Sequence, residues 1–310
     1  QKQNRNQKQK QKQKPKQKLN TLQTIQSYLM IAGSVLGMII FVVIPLLWVC
    51  RYCVYNYKGY GTMTFVGLDQ FKRVFTDSPN FWLSVANTFI FAICKLLVEI
   101  PLALVLAFFL TKKIRGVTFW RSVYFMPSMV SVAIIGVIFN YLFSHHRGII
   151  NEFLRMFGHD GIEWFSHRWS ALIVIMIASI WQNFGINMLF FMTGLQSISA
   201  EMYEASEIDG ASNTRQFFSI TIPLLGPVMQ MVVMNAILGS LKVTDLVLTL
   251  TNGGPYKQTE VMMTYIYKEF FGDQGFTGKN WGYAAALTVI TACILAVVTL
   301  IYLRLTKKAD

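Results

Sequence analysis

Residues 28–50 read YLMIAGSVLGMIIFVVIPLLWVC, an apolar run without a single charged side chain. A helix needs about 20 such residues to cross about 30 Å of hydrocarbon. A lone strand cannot cross, because its backbone groups would be unpaired in lipid. No small-x-small cleavage pattern follows the run, so we expect it to remain as an anchor rather than be removed as a signal peptide. The stretch therefore predicts a transmembrane α-helix.

Long apolar runs recur along the rest of the chain. The second contains Lys95 and Glu99, and the fifth contains Lys242 and Asp245, whereas the others are uncharged. The fold class predicted from them is all-α integral membrane, with six transmembrane helices. After the first run, the spans are predicted over residues 87–110, 122–143, 171–193, 223–250 and 283–303.

The composition agrees with a membrane protein. Hydrophobic residues make up 54% of the 310 positions and charged residues only 14%, against about 25% charged residues in a soluble domain. So few charges would leave a soluble protein without enough polar surface to cover its core. The numbers exclude a disordered chain, a disulfide scaffold and an ordinary cytosolic enzyme.

The positive charge is concentrated at the N-terminus. The net charge is +13, and eight of the 28 Lys and Arg residues lie within residues 1–18. Residues 1–27 are predicted to form a basic Gln/Lys-rich, disordered cytoplasmic tail, because such a tract cannot bury apolar surface. It either fixes the topology or contacts anionic lipid headgroups of the bilayer. A tract without aromatic residues does not indicate nucleic acid.

The distribution of Lys and Arg also predicts the orientation. Placing the N-terminus inside gives 16 Lys and Arg residues to the inner segments and 10 to the outer loops. Cytoplasmic loops carry the excess of these residues in membrane proteins. Both termini of the membrane domain, residues 28–310, are therefore predicted to be cytoplasmic.

The inner segment 194–222, GLQSISAEMYEASEIDGASNTRQFFSITI, is patterned rather than a plain linker. Ser199 is placed to cap a helix, Gly210 tolerates the left-handed turn that ends it, and a second helix is expected from near Ala211. The result is a helix–turn–helix outside the membrane. Its small and acidic side chains would allow a partner protein with a basic surface to dock. The alternative is a loop at the membrane interface that has no partner.

Motifs in this segment resemble the EAA signature of ATP-binding-cassette importer permeases. They are Glu204-Ala205-Ser206, Asp209-Gly210-Ala211, then Phe218, Ile220 and Pro223-Leu224, with Ser206 where Ala is usual. The resemblance implies a coupling helix that docks on an ATPase subunit. The residues it assigns to that contact are Tyr203, Glu204, Ala205, Ser206, Asp209, Gly210 and Ala211.

Four further motifs are similar to the maltose and multiple-sugar type of permease. They are Phe65–Phe71 (FVGLDQF), Arg121–Pro127 (RSVYFMP), Gly148–Asn151 (GIIN) and Thr251–Pro255 (TNGGP). The resemblance implies a type I importer permease fold in a bacterial cell membrane and the import of a carbohydrate. It also implies a heterodimer with a second homologous permease, two ATPase subunits and an extracellular solute-binding protein. The chain lacks a P-loop, so it is expected to bind no cofactor and to leave ATP and Mg to the ATPase.

Polar residues in spans four and five are candidates for the substrate path. Amides and hydroxyls on one helical face suit a sugar, although they also suit hydrogen bonds between helices. The resemblance places a sugar site between these two spans. The candidate residues are Gln182, Asn183, Ile186, Asn187, Asn235, Ser240, Lys242 and Val243.

The ionisable residues within the spans leave alternatives open. Lys242 is either a counter-charge for an acidic sugar or neutralised by Asp245. The i, i+4 pair of Lys95 and Glu99 would suit a proton relay in a secondary transporter. An importer for another solute, such as glycerol-phosphate, is the alternative within the family.

A membrane enzyme is poorly supported. Cys50 and Cys53 form a C-x-x-C with no second pair, and no carboxylate or Cys pattern accompanies the histidines, so no catalytic or metal site is predicted. All four histidines fall in one outer loop: His145, His146, His159 and His167.

Overall fold

The computed structural model describes residues 21–112, 115–272 and 280–307, without side chains for residues 21–25. The predicted tail up to residue 20 lies outside the described residues. The chain divides into two compact units, one up to Arg51 and one from Tyr52 onward.

The first unit is a long helix. Helix α1 (Thr21–Met38) continues through a π-helical turn (Ile39–Val43) into α2 (Ile44–Tyr52). No described residue of its apolar stretch is buried, as expected of a surface made for hydrocarbon. Because the helix begins at Thr21, the predicted disordered tail through residue 27 is wrong for residues 21–27. The Gln/Lys repeat ends at Lys18, and apolar residues already appear at Leu22 and Ile25.

A small hairpin and a short helix open the second unit. Strands β1 (Tyr55–Asn56) and β2 (Thr64–Phe65) are antiparallel, with Tyr55 opposite Phe65. Helix α3 (Asp69–Thr76) follows. The backbone N–H of Trp281 donates to the carbonyl oxygen of Tyr57 at 2.7 Å. This bond ties the loop of the hairpin, between β1 and β2, to the start of the last helix.

The next three helices include the first sharp bend. Helix α4 (Pro79–Thr111) is straight enough to count as one span, whereas α5 (Val117–Phe125) and its 3-10 turn (Met126–Met129) meet α6 (Val132–Leu142) at 100°. The single helix predicted over residues 122–143 is therefore wrong. Val130 is extended, and the Ser131 hydroxyl accepts from the N–H of Ile134 at 3.4 Å, which caps a new helix.

The stretch GIINEFLRMF of residues 148–157 spaces Ile149, Phe153 and Phe157 four residues apart, which predicts a short helix, and helix α7 (Ile149–Met156) forms there. The buried side chain of Asn151 holds its loop: the amide oxygen accepts from Ile162 N at 3.1 Å and from Trp164 Nε1 at 3.0 Å. Helix α8 (Arg168–Gln196) then extends past both ends of the predicted span 171–193.

The segment after α8 has the predicted helix–turn–helix form. Helix α9 (Ala200–Ile208) is followed by Gly210 at φ 76° and by α10 (Asn213–Gln216). The second helix starts two residues later than expected from Ala211. Ser199 occupies the N-cap position of α9 without a side-chain hydrogen bond, so the expected cap is not made.

The fifth predicted span is divided as well. A π-helical turn (Phe217–Thr221) leads into α11 (Ile222–Leu224), which meets α12 (Gly226–Leu241) at 70°, and a break at residues 242–244 precedes α13 (Asp245–Leu250). The prediction of one helix over residues 223–250 is wrong. Pro223 and Pro227 cannot donate backbone hydrogen bonds, and apolar composition alone does not reveal such breaks.

The pattern of residues 261–271 predicts a short amphipathic helix, and α14 (Met262–Phe271) forms there; α15 (Trp281–Thr306) is the last helix. Among the described residues, four helices are long and apolar enough to cross a membrane, or six if each bent pair counts as one span.

Two apolar clusters stabilise the second unit. One joins Phe91 of α4 to α6, α8 and α13, for example through Ile135, Ile175 and Val247. The other joins α4 to the far end of α8 and to α12, for example through Phe191 of α8. Between the clusters, α4 and α8 carry polar side chains.

Gly185 marks the closest approach of α8 to the bent pair. A Cβ built there would lie 2.1 Å from the carbonyl oxygen of Tyr124 and 3.0 Å from Cα of Phe125. We predict that Gly185→Ala destabilises the protein by about 1–3 kcal/mol, since overpacking against backbone cannot relax. The thermal midpoint of the purified protein measures the effect. Gly239→Ala is the matched control, because a Cβ there meets nothing within 4 Å; equal midpoints for the two variants would contradict the prediction.

Candidate functional site

A polar cavity of about 360 Å³ lies between the two apolar clusters, halfway along α4 and α8. Residues of α4, α6, α8, α12 and α13 and of the break between α12 and α13 form its wall. The lining residues are Lys95, Glu99, Val132, Ser179, Gln182, Asn183, Ile186, Asn187, Asn235, Ala236, Gly239, Lys242, Val243, Thr244, Asp245 and Leu246.

Seven of the eight residues predicted for the substrate path line this cavity: Gln182, Asn183, Ile186, Asn187, Asn235, Lys242 and Val243. Ser240 does not. Its buried hydroxyl donates to the carbonyl oxygen of Ala236 at 2.7 Å and accepts from Lys95 Nζ at 3.2 Å. Ser240 therefore supports the cavity wall from behind.

The most unusual part of the wall is a buried ion pair on α4. Lys95 Nζ lies 3.1 Å from Glu99 Oε2, and both side chains are less than 5% exposed. Glu99 Oε1 accepts from Asn187 Nδ2 of α8 at 2.6 Å. Together with the Ser240 contact, the pair links α4, α8 and α12 at the level of the cavity.

Burial of this pair is costly unless its hydrogen bonds are also satisfied. The amide of Asn187 and the hydroxyl of Ser240 provide two of those bonds. Sequence analysis found the i, i+4 spacing of Lys95 and Glu99 but not these partners, which lie far along the chain. No local pattern signals a contact of this kind.

The break at residues 242–244 shapes one side of the cavity. Helix α12 ends at Leu241 and α13 begins at Asp245, so Lys242 and Asp245 do not share a helical face as predicted. Both are exposed, and the ion pairs of the described ranges do not include one between them. A direct ion pair of Lys242 with Asp245, one of the two alternatives that the sequence left open, is therefore not formed among the described residues.

Several lining residues were missed from the sequence. Val132 reaches the cavity because the chain bends before α6, and Thr244 because the helix stops at Leu241. The Ser131 cap after Pro127 is the sequence signal that indicates the first of these. No lining residue of the described chain is aromatic; Trp181 packs on Phe139 instead, with ring centroids 5.8 Å apart.

The segment with the EAA-like motif lies beyond the end of α8. Glu204, Ala205 and Asp209 are exposed on it. The hydroxyls of Tyr203 and Thr221 are 3.0 Å apart, which fastens α9 to the chain before α11. The segment thus presents small and acidic side chains on a fixed base, an arrangement suited to docking.

Residues 99–310 match the family model described as binding-protein-dependent transport system inner membrane component. The chain is similar to the sn-glycerol-3-phosphate transport system permease protein UgpA of Escherichia coli O157:H7, with 31% identity over 89% of this chain and 92% of the relative. It is also similar to the arabinooligosaccharides transport system permease protein AraP of Bacillus subtilis (strain 168), with 30% identity over 90% of this chain and 87% of the relative.

Two solved structures share the fold. A chain of a bacterial ABC transporter involved in the import of the acidic polysaccharide alginate matches with a TM-score of 0.79 and 20% identity, over 91% of this chain and 94% of that chain. The alginate transporter in complex with a pentasaccharide-bound periplasmic protein matches with a TM-score of 0.78 and 21% identity, over 91% and 93% of the two chains.

The buried pair predicts a specific pattern of stability. Glu99→Gln is expected to cost about 3–5 kcal/mol, because it leaves the Lys95 charge buried and unpaired. The double replacement Lys95→Met, Glu99→Leu is expected to recover most of that loss. Thermal unfolding in detergent measures both.

The control is Glu152→Gln, which breaks the exposed pair with Arg155 and should cost no more than about 1 kcal/mol. A double variant as unstable as the single one would contradict the role given to charge pairing.

Proposed function

The chain belongs to the family of binding-protein-dependent transport system inner membrane components and is a permease subunit of an importer, and from that premise we propose that it imports sugars or oligosaccharides with energy from ATP. The polar cavity between two apolar clusters carries the proposal. Amides, carboxylates and amines meet there halfway along the helices, and a sugar needs many hydrogen bonds on its way through hydrocarbon.

We place the protein in a bacterial cell membrane with six crossings, each bent pair counting as one, and with both termini cytoplasmic. The excess of Lys and Arg in the inner segments supports that orientation. The EAA-like segment then faces the cytoplasm, where ATP is available.

A separate ATPase would bind and hydrolyse ATP with Mg, so that this chain itself is not a catalyst and binds no cofactor. The residues proposed to contact this ATPase are Tyr203, Glu204, Ala205, Ser206, Asp209, Gly210 and Ala211. The remaining partners are a second homologous permease, a second ATPase copy and an extracellular solute-binding protein. The family description, which specifies dependence on a binding protein, supports the last of these.

The charges of the cavity favour an uncharged saccharide. Its ionisable lining residues are two amines and two carboxylates, so their formal charges cancel. Lys95 and Glu99 form an ion pair with each other. Lys242 and Asp245 both line the cavity, one of each sign, so an acidic sugar attracted by Lys242 is repelled by Asp245.

An anionic solute such as glycerol-phosphate is the second candidate. The exposed Lys242, which has no carboxylate within ion-pair distance among the described residues, favours it. UgpA, whose name specifies sn-glycerol-3-phosphate, is a relative by sequence. Uptake that follows a proton gradient rather than ATP would instead support a secondary transporter.

The coupling proposal predicts the effect of a charge reversal. Glu204→Lys should leave the protein inserted and assembled as a permease but abolish sugar-stimulated ATP hydrolysis, since a basic ATPase surface would be repelled. The assay is ATP turnover by the reconstituted complex with and without sugar. Glu163→Lys, at an exposed position in an outer loop, is the control. Normal stimulation in the Glu204 variant would refute the proposed contact.

The charge balance predicts a change in selectivity. Asp245→Asn should strengthen binding of a uronate oligosaccharide about fivefold relative to the neutral sugar of equal length, as removal of about 1 kcal/mol of repulsion would. Lys242→Gln should act in the opposite direction.

Binding titrations on the purified complex measure both ratios. Asp160→Asn, exposed and outside the cavity wall, should leave the ratio unchanged. The proposal of a charge-balanced site fails if neither cavity variant alters the preference.

A further inference from the structure

Two adjoining cavities lie where the end of α4 meets the helix–turn–helix segment. The first, here called the junction pocket, has a volume of about 250 Å³ and is lined by residues of α4, α8, α9 and α10 and of the π-helical turn. The second, the side groove, has about 350 Å³. Neither contains a residue of the central cavity.

The junction pocket contains charged and amide side chains and holds an unsatisfied donor. Gln216 is 7% exposed, and its amide nitrogen is buried with no hydrogen-bond partner in the described part of the chain. A buried donor left without a partner is costly. Lys112 and Glu207 also line the pocket, so a cation and an anion are available to a ligand of mixed charge.

The side groove is apolar and opens on the exposed face of α4. Val105 is 46% exposed and Phe109 53% exposed, and Phe217 forms the opposite wall. These residues lie at the end of a helix long and apolar enough to span a membrane. The groove therefore faces the region that lipid chains occupy.

The two cavities share a wall. Phe108, Asn213 and Phe217 line both, and the rings of Phe108 and Phe217 meet edge to face with centroids 5.1 Å apart. Lys112 Nζ lies 4.6 Å from the Phe108 ring centroid. A compartment with charged and amide side chains thus opens beside an apolar one at the end of a membrane helix, and a single amphiphile has groups that suit both.

We propose that this site binds one phospholipid whose headgroup carries a phosphate and a free amine. Lys112 and the Gln216 amide are the donors for the phosphate, Glu207 accepts from the amine, and an acyl chain lies in the side groove. Charge-assisted hydrogen bonds of this kind are the strong ones. The site is independent of the transported solute, and it joins α4 to the segment that carries the EAA-like motif.

Retention of lipid by the purified complex tests the proposal. The complex is reconstituted in nanodiscs with equal mole fractions of phosphatidylethanolamine, phosphatidylcholine and phosphatidylglycerol, and native mass spectrometry counts the lipids that remain on the chain. We expect phosphatidylethanolamine to be retained about fivefold over phosphatidylcholine, whose quaternary amine cannot donate a hydrogen bond.

Two variants separate headgroup from chain. Glu207→Gln should remove the preference over phosphatidylglycerol, whereas Glu201→Gln on the same helix, outside the pocket lining, should keep it. Val105→Trp should fill the groove and lower retention of every lipid. Val98→Trp is its control, at a position on α4 that is 53% exposed and outside the groove.

Equal retention of the three lipids, or a preference for phosphatidylglycerol, would overturn the proposal. So would lipid that is bound by the isolated chain but absent from the complex, since a partner subunit would then fill the groove.

Discussion

A Lys95 ammonium and a Glu99 carboxylate are held 3.1 Å apart in the interior of an apolar helix bundle. Charges at that depth are tolerated only with opposite charges and hydrogen bonds around them. Here the partners come from two other helices, Asn187 on α8 and Ser240 on α12. The three helices must therefore meet at one level and in one rotation, and the cavity forms beside the point where they meet.

The long helices α4 and α8 alternate between apolar and polar stretches along their length. On α4 and α8, an apolar cluster is followed by the polar wall of the cavity and then by a second apolar cluster. The clusters supply the packing that positions the polar wall, which contributes less apolar burial of its own. Helix α8 also leads directly to the exposed segment with the EAA-like motif, so one rigid element connects the cavity to the candidate contact with an ATPase.

The sequence predicted what depends on composition and on short-range pattern. Apolar runs located the membrane helices, and Gly210 located the turn between α9 and α10. The sequence did not predict features that depend on tertiary contacts. The bends near Pro127 and Pro223 and the break after Leu241 lie within apolar runs, where hydropathy is silent about backbone geometry. Asn187 lies 88 residues from its partner Glu99 in the sequence, so spacing alone could not find such a contact.

The backbone contact at Gly185 is a point about which helix α8 could tilt. A Cβ built there would lie 2.1 Å from the carbonyl oxygen of Tyr124, so main chain meets main chain with no side chain between them. Two surfaces in such contact resist sliding, because no side-chain rotamer can yield. The point coincides with the level of the cavity, between Asn183 and Asn187 on α8. A tilt of α8 about it would move the two ends of the helix in opposite directions, as the arms of a lever do.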